Sequence, residues 1–563
     1  MGRGLQPFCC KKPQIQGPRG PKMTEMNETA DFQESTKKDK ENKIYEFDDL
    51  LRLTGGFGRY QVALYAFLCL ISIPTGAQLL IQVFYAASPR FSCVSAPENE
   101  TCDPGKCCPS CQKYDFQGPF TSTVSEWHLL CDRRHLKAMT QAVYMAGLLV
   151  GAIAFSSISD HFGRKLSFFM SIGFLATFAV ASGVADCLSL FSLLRFFAGA
   201  GTIGCLLVRF VYCAEMVVTV HRSFIGMINM LFLSVGGCVL ALLAYLIPNW
   251  RHLMLAVSLP SFLPLVAWWW IPRSPRWLIA NNHLEEAHEV LLKYAKYNHV
   301  TVDSKHLKHA IQEVRKNDAR KSVDEKYGIL DTMRTPKLRK RSLIMFPNWI
   351  ANALIFYGLN YNVRNLAGNM YLNFFILLVV DFPAVAVSCY CLQRFGRRLT
   401  YSSYMTFCGV ACLLALAMPS SDEYQVAVVI FVMVAKFFVI STFNSVYVYT
   451  AELYPTVIRN NGVGLCSMIA RIGGIVSPYV VLLADLPNLR KTFPLLIFGV
   501  VGLAAGILAF WLPETLTAQM SQTVEQAEAL DEDYNLYCCK KPQVQGSRGR
   551  KEVAKEGEDV TLV

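Results

Sequence analysis

Between Tyr60 and Leu512 the chain carries twelve predominantly apolar stretches, most of them about 20 residues long. That is the length with which an α-helix crosses roughly 30 Å of hydrocarbon. In lipid each backbone N–H and C=O has to find its partner inside its own segment. The repeated stretches therefore predict an all-α membrane protein with twelve transmembrane helices. Charge content agrees, since only 17% of the residues are Asp, Glu, Lys or Arg, against about 25% in soluble domains. The formal net charge is +12. Its cations cluster beside apolar stretches, which fits positive-inside placement and speaks against a nucleic-acid partner. No GxxxxGK[ST] phosphate loop occurs, so an ATP-driven cycle would need another chain. No catalytic residue, metal site or cofactor is assigned.

The predicted helices cover 59–87, 138–158, 166–185, 189–213, 224–247 and 252–271, and then 342–359, 371–392, 400–418, 424–450, 462–484 and 492–512. Residues 1–58, dense in Lys, Glu, Gly and Pro, read as a mostly disordered leader with no cleavable signal peptide. The polar stretch 88–137 holds Cys93, Cys102, Cys107, Cys108, Cys111 and Cys131, with the glycosylation sequon Asn99-Glu100-Thr101. Clustered cysteines beside a sequon place this loop outside the cell, where disulfides persist. Three bridges are expected, in any of the 15 connectivities six cysteines allow. Alternation then puts both termini in the cytosol. Residues 59–271 form one six-helix half, 272–341 a cytosolic linker, 342–512 the second half and 513–563 a cytosolic tail. In the linker Glu285, Glu286, Glu289, Lys293 and Lys296 stand at helical spacing, and Lys337 to Arg341 are strongly basic. This predicts amphipathic helix lying on the membrane surface. The cation-rich loops (Arg164/Lys165, His221/Arg222, Arg397/Arg398, Arg459) all fall on the same side.

The two halves echo each other. Asp160-His161-Phe162-Gly163-Arg164-Lys165 lies between two apolar stretches, and Gln393-Arg394-Phe395-Gly396-Arg397-Arg398 between two others. A glycine permits a very tight turn between helices. Each copy is followed, one apolar hairpin later, by an acid at a helix end, Glu215 and Glu452. Such internal repeats are common in transporters.

These turns resemble the signature of the major facilitator superfamily. Several further stretches are similar to its organic cation, carnitine and organic anion transporters, solute carrier family 22. They are Gly56-Phe57-Gly58-Arg59-Tyr60-Gln61, Ser125-Glu126-Trp127-His128-Leu129-Leu130-Cys131-Asp132, Ser274-Pro275-Arg276-Trp277-Leu278 and Tyr449-Thr450-Ala451-Glu452-Leu453-Tyr454-Pro455-Thr456. The resemblance runs from about Asp48 to Leu516. It implies the major facilitator fold of two pseudo-symmetric six-helix halves, and alternating-access transport of small organic ions at the plasma membrane rather than enzyme activity. Organic cations or zwitterions such as carnitine are the first substrate class it suggests. Organic anion exchange and a transport-inactive ion sensor are the alternatives. Two positions depart from the pattern: Arg273 stands where the family usually has an acid, and Gln393 where the first copy of the turn has Asp160.

A charge at membrane depth costs at least about 2.5 kcal/mol, so each asks for a reason. Asp381 in helix 8 and Lys436 in helix 10 fall near mid-span. They are either a pair that breaks as the halves rock or a permanently satisfied buried pair. The resemblance gives Arg471 in helix 11 more weight. Cation-selective relatives carry an aspartate there and carnitine and anion transporters an arginine, which can take a carboxylate in bidentate geometry. The lysine of the anion exchangers in helix 8 is absent, with Val385 in its place. Arg209 in helix 4 either lines the substrate path or snorkels to an outer turn. Trp349 and Phe356 share one face of helix 7. By the family match, Phe232 and Asn229 in helix 5 and Tyr447 in helix 10 join them around the path. Aromatic faces attract quaternary ammonium groups. Asp160, Arg164 and Glu215, with Arg397, Glu452 and Arg459, are expected to form a cytosolic gate. The sodium-dependent carnitine carrier has an Asn-Tyr pair where this chain has Cys205-Leu206, so sodium coupling does not carry over. In the tails, Cys9-Cys10-Lys11-Lys12-Pro13-Gln14 recurs as Cys538-Cys539-Lys540-Lys541-Pro542-Gln543, a candidate for palmitoylation against membrane lipid or a duplication without a role. The ending Thr561-Leu562-Val563 is a candidate PDZ-domain ligand.

Overall fold

The computed structural model describes residues 45–95, 107, 111, 113–323, 328–419, 421–486, 489–516, 521 and 523–529. Helices 1 to 6 are Arg59–Tyr85, Arg134–Phe162, Arg164–Gly183, Leu188–Glu215, Thr219–Leu246 and Trp250–Trp269. Helices 7 to 12 are Pro336–Asn362, Met370–Phe395, Arg397–Ala417, Gln425–Leu453, Arg459–Leu482 and Pro494–Ala509. Eleven spans are long and apolar enough to cross a membrane, and helix 12 is a shorter apolar helix of 16 residues. The twelve-span expectation holds.

Proline sets the irregularities that hydropathy does not show. A proline inside a helix removes one hydrogen bond and crowds the carbonyl four residues earlier. Pro74 interrupts helix 1 just after Leu70, so that it resumes as Ser72–Leu80, and a second break at Ile81, with no proline beside it, precedes Gln82–Tyr85. Pro383 likewise interrupts helix 8, which breaks at Val380 between Met370–Val379 and Asp381–Phe395. With Pro260 and Pro264, helix 6 is α-helical only over Trp250–Ser258 and continues to Trp269 as a 3₁₀-helix, where a regular helix over 252–271 was expected.

The repeated polar turn is tighter than its composition suggests. Helix 2 runs through Asp160 to Phe162 and helix 3 starts at Arg164, leaving Gly163 alone as the connection at φ 92°. Gly396 joins helices 8 and 9 in the same way at φ 93°. That region of φ is open to glycine and strained for other residues.

Strands β1 (Arg90–Ser95) and β2 (Lys113–Gln117) form an antiparallel ribbon between helices 1 and 2. Disulfides Cys93–Cys111 and Cys107–Cys131 tie it to the start of helix 2, which chooses two bridges among the connectivities left open by the sequence. Cys102, Cys108 and the sequon at Asn99 lie outside the described residues, as do the repeated Cys-Cys-Lys-Lys tails and the terminal Thr-Leu-Val. The ribbon marks one side of the molecule, and the Gly163 and Gly396 turns mark the other.

The linker folds as Pro275–Ala280, Leu284–Tyr297 and Ser304–Val323. It is amphipathic, but its apolar face is not spent on a membrane surface. Leu291, Tyr294, Leu307 and Ile311 are buried. Tyr294 and Tyr297 each lie 5.2 Å, ring to ring, from Tyr60 at the start of helix 1. Asn298 donates to Thr54 O and Gln61 Oε1 and accepts from Tyr60 N.

Candidate substrate site and gates

The intramembrane residues of the second half form a connected network. Lys436 and Asp381 are fully buried with Nζ and Oδ1 3.6 Å apart, an ion pair rather than a hydrogen bond. Ser234 of helix 5, in the opposite half, donates to Asp381 Oδ2 at 2.7 Å. Lys436 also lies 4.2 Å from the centroid of the Phe356 ring. Phe356 packs against Tyr357 at 5.2 Å and Phe443 at 5.1 Å, and Phe443 leads to Tyr447 at 5.8 Å. The Tyr447 ring meets Trp349 edge-on at 4.6 Å, and the Trp349 indole N–H donates to Thr450 Oγ1.

Arg471 joins this network through one bond, Nη1 donating to the Tyr357 hydroxyl at 3.3 Å. Its side chain is 9% exposed, and among the described residues it has no acidic partner. This contrasts with Lys436, whose charge Asp381 meets. Trp349, Phe356, Tyr447 and Arg471 thus come together, with Tyr357 and Phe443 as members that sequence reasoning missed. Their types alone carry no signal among so many helical aromatics.

In the first half Arg209 is fully buried, so the snorkelling alternative does not hold. Its Nη1 donates to Ser72 Oγ, and Ser72 Oγ in turn donates to Asn229 Oδ1 at 3.4 Å. Its Nε and Nη2 have no hydrogen-bond partner among the described residues. Phe232 is half-buried one turn further along helix 5. Arg209, Ser72 and Asn229 form a chain of bonds separate from the Arg471 network. A second buried arginine, Arg195, was missed. It donates to Gln78 Oε1 at 2.9 Å and lies 4.2 Å from the Tyr144 ring.

The expected gate residues form two clusters, one in each half. In the first, Arg164 Nε lies 3.0 Å from Glu215 Oε1 and Nη1 3.1 Å from Asp160 Oδ1, while Ser274 Oγ donates to Glu215 at 2.6 Å. In the second, Arg397 Nη2 lies 2.9 Å from Glu452 Oε1, and Thr515 Oγ1 donates to Glu452 at 2.6 Å. Arg459 donates to Thr456 Oγ1 at the start of helix 11.

Bonds that join the halves sit at mid-depth and towards the ribbon. Lys137 Nζ contacts Asp485 Oδ2 at 2.8 Å, and Arg134 donates to Asp485 O. Gln141 Nε2 donates to the Tyr361 hydroxyl at 2.5 Å, and Arg364 to Ala86 O at 3.0 Å. Phe84 stacks on Tyr371. The charges among them stand at helix ends, where sequence reading takes cations and acids as topology markers.

Residues 110–526 match the sugar (and other) transporter family. An organic cation transporter protein of Drosophila melanogaster is 34% identical over 523 residues, covering 86% of this chain and 94% of that protein. Organic cation transporter 1 of Caenorhabditis elegans is 31% identical, with 86% and 88% covered. Solute carrier family 22 member 3 of Mus musculus is 30% identical, with 89% and 99% covered. Among solved structures, the inward-open xylose transporter XylE from E. coli aligns with a TM-score of 0.60 at 16% identity, over 84% of this chain and 99% of that one.

Proposed function

This chain belongs to the sugar (and other) transporter family and, within it, to solute carrier family 22, and on that premise we propose that it moves small organic ions across the plasma membrane by alternating access. The family's members are transporters, not enzymes. The loop with the ribbon faces outwards and both termini lie in the cytosol. The substrate is an organic ion that carries a carboxylate, a zwitterion with a quaternary ammonium group such as carnitine being the best fit.

The observation that carries this reading is Arg471. A buried guanidinium with one neutral hydroxyl for a partner leaves most of its donors and its charge to be met by a ligand. The rings of Phe356, Tyr447 and Trp349, linked to it through Tyr357 and Phe443, supply faces that attract an ammonium group. Arg209, on the opposite half, adds a second buried cation whose Nε and Nη2 are without hydrogen-bond partners among the described residues. It favours a substrate bearing negative charge over a simple cation.

Uptake into oocytes of carnitine, tetraethylammonium and p-aminohippurate tests the reading. Carnitine-type uptake is expected in the wild type and is lost in Arg471→Asp, with the protein still at the surface. Preference for p-aminohippurate would move the protein to the anion exchangers. No uptake of any of the three by surface-expressed protein would favour a sensor.

A further inference from the structure

The two halves treat the start of their third helix differently, and the difference leaves a cationic cavity. In the second half Glu514, which follows helix 12 and is almost wholly buried, caps helix 9. Its Oε1 accepts from Arg397 N at 2.9 Å and its Oε2 from Arg398 N at 3.0 Å. Free N–H groups at a helix start, with the positive end of the helix dipole, make this a natural seat for a carboxylate.

The corresponding place in the first half can be located bond by bond. Tyr449 donates to Pro513 O at 2.7 Å, as Tyr212 does to Pro272 O at 2.6 Å. Thr515 donates to Glu452 as Ser274 does to Glu215. Pro272-Arg273-Ser274 thus matches Pro513-Glu514-Thr515, and Arg273 stands where the capping acid stands. Its guanidinium reaches out instead to Glu286 of the linker at 3.0 Å, with both side chains about half exposed. The amides of Arg164 and Lys165 have no acceptor among the described residues. Lys165 has no acidic partner among them either, its ammonium lying 4.7 Å from the Trp268 ring. Gly163, Arg164, Lys165, Trp268, Arg273 and Trp277 line a cavity of about 270 Å³ at this point.

We propose that this cavity binds a phosphate group, which does from outside what Glu514 does from within. Two backbone amides, an ammonium and a guanidinium fork suit the several acceptor oxygens of a phosphate better than the two of a carboxylate. The occupied twin in the same chain shows that amides in this setting take an anion. The group comes from an inositol phosphate lipid headgroup or from a soluble phosphate compound. Bound there, it ties helix 3 to the segment after helix 6 and stiffens the first half.

The test uses the full-length protein in nanodiscs, with thermal unfolding as the readout. The probes are inorganic phosphate in solution and a few per cent of phosphatidylinositol 4,5-bisphosphate in the bilayer, with phosphatidylserine as the charge control. One of the two phosphate probes is expected to raise the melting temperature, and which one does so identifies the source. Arg273→Glu restores the built-in acid and should raise the melting temperature without any probe while abolishing the response to it. Lys165→Ala should weaken the response about tenfold in probe concentration, and Glu286→Gln, which frees Arg273, should strengthen it. No response to either phosphate probe, an equal response in Arg273→Glu, or an equal response to phosphatidylserine would overturn the proposal.

Discussion

Ser234→Ala removes one hydroxyl and reports on how the halves are coupled. Ser234 belongs to helix 5 and its acceptor, Asp381 Oδ2, to helix 8, so the 2.7 Å bond crosses the interface at mid-depth. Both groups are buried. A hydrogen bond to a charged group contributes about 1.5–3 kcal/mol, and each 1.4 kcal/mol is about tenfold in an equilibrium constant. In the proposed alternating-access cycle, separation of the halves on the ribbon side breaks this bond. Its removal should therefore shift the balance between ribbon-closed and ribbon-open forms by roughly 10- to 150-fold towards open. Spin labels on the ribbon-side ends of helices 2 and 11, read as a distance distribution, measure that balance. The variant should move population to the longer distance, and Ser234→Thr, which keeps the hydroxyl, should move it back. An unchanged distribution in Ser234→Ala would show that Asp381 is held by Lys436 alone and that the bond carries no conformational information.

Other consequences follow from named contacts. Lys137→Ala should lower the melting temperature, by less than the roughly 3–5 kcal/mol for a fully buried pair because Asp485 is 31% exposed. The double variant with Asp485→Asn should recover part of that loss, and a cycle of melting experiments measures the coupling. Gly163→Ala places a methyl group at φ 92°, with the Trp277 ring 3.3 Å from its position, and should cost about 1–3 kcal/mol. Surface expression and thermal unfolding check it against Gly173→Ala, a position with nothing within 4 Å.

Helix number, the repeat and the acid after each turn were legible because hydropathy and motif spacing are properties of one segment at a time. Pairings between distant segments were not. The helix positions of Asp381 and Lys436 suggested that they meet, but nothing in the sequence around Ser234 marked it as the third partner from the other half. Arg471 could be singled out only by resemblance, and its link through Tyr357 needed the orientation of helix 7 against helix 11. The proline interruptions in helices 1, 6 and 8 were readable in principle, because Pro74, Pro260, Pro264 and Pro383 stand in plain view. Hydropathy weighs apolar character and ignores the missing N–H. The linker failed for a different reason: an amphipathic face does not say whether lipid or the start of helix 1 will cover it.

The motif-side charges gain a different meaning from their partners. Arg164, Asp160, Glu215 and Ser274 all belong to the first half or the linker strand attached to it, and Arg397, Glu452 and Thr515 to the second. A rocking motion that carries one half past the other leaves both sets unbroken. In the proposed alternating-access cycle they would brace each half as a rigid body, while Lys137–Asp485, Gln141–Tyr361 and Ser234–Asp381, which cross between the halves, would form and break. The two roles separate by experiment. Glu215→Gln leaves Arg164 buried beside a neutral amide, with both side chains only 10–14% exposed. Arg164 keeps Asp160 Oδ1 and the Ser159 carbonyl as partners, so the loss should be that of one charged hydrogen-bonded contact, about 1.5–3 kcal/mol of stability. The ribbon-side spin-label distances should stay as in the wild type. Asp485→Asn should lengthen those distances, besides the stability it loses by leaving the buried Lys137 without its acid. If Glu215→Gln shifts the distances as Asp485→Asn does, the motif-side charges act as a latch between states and the bracing argument fails.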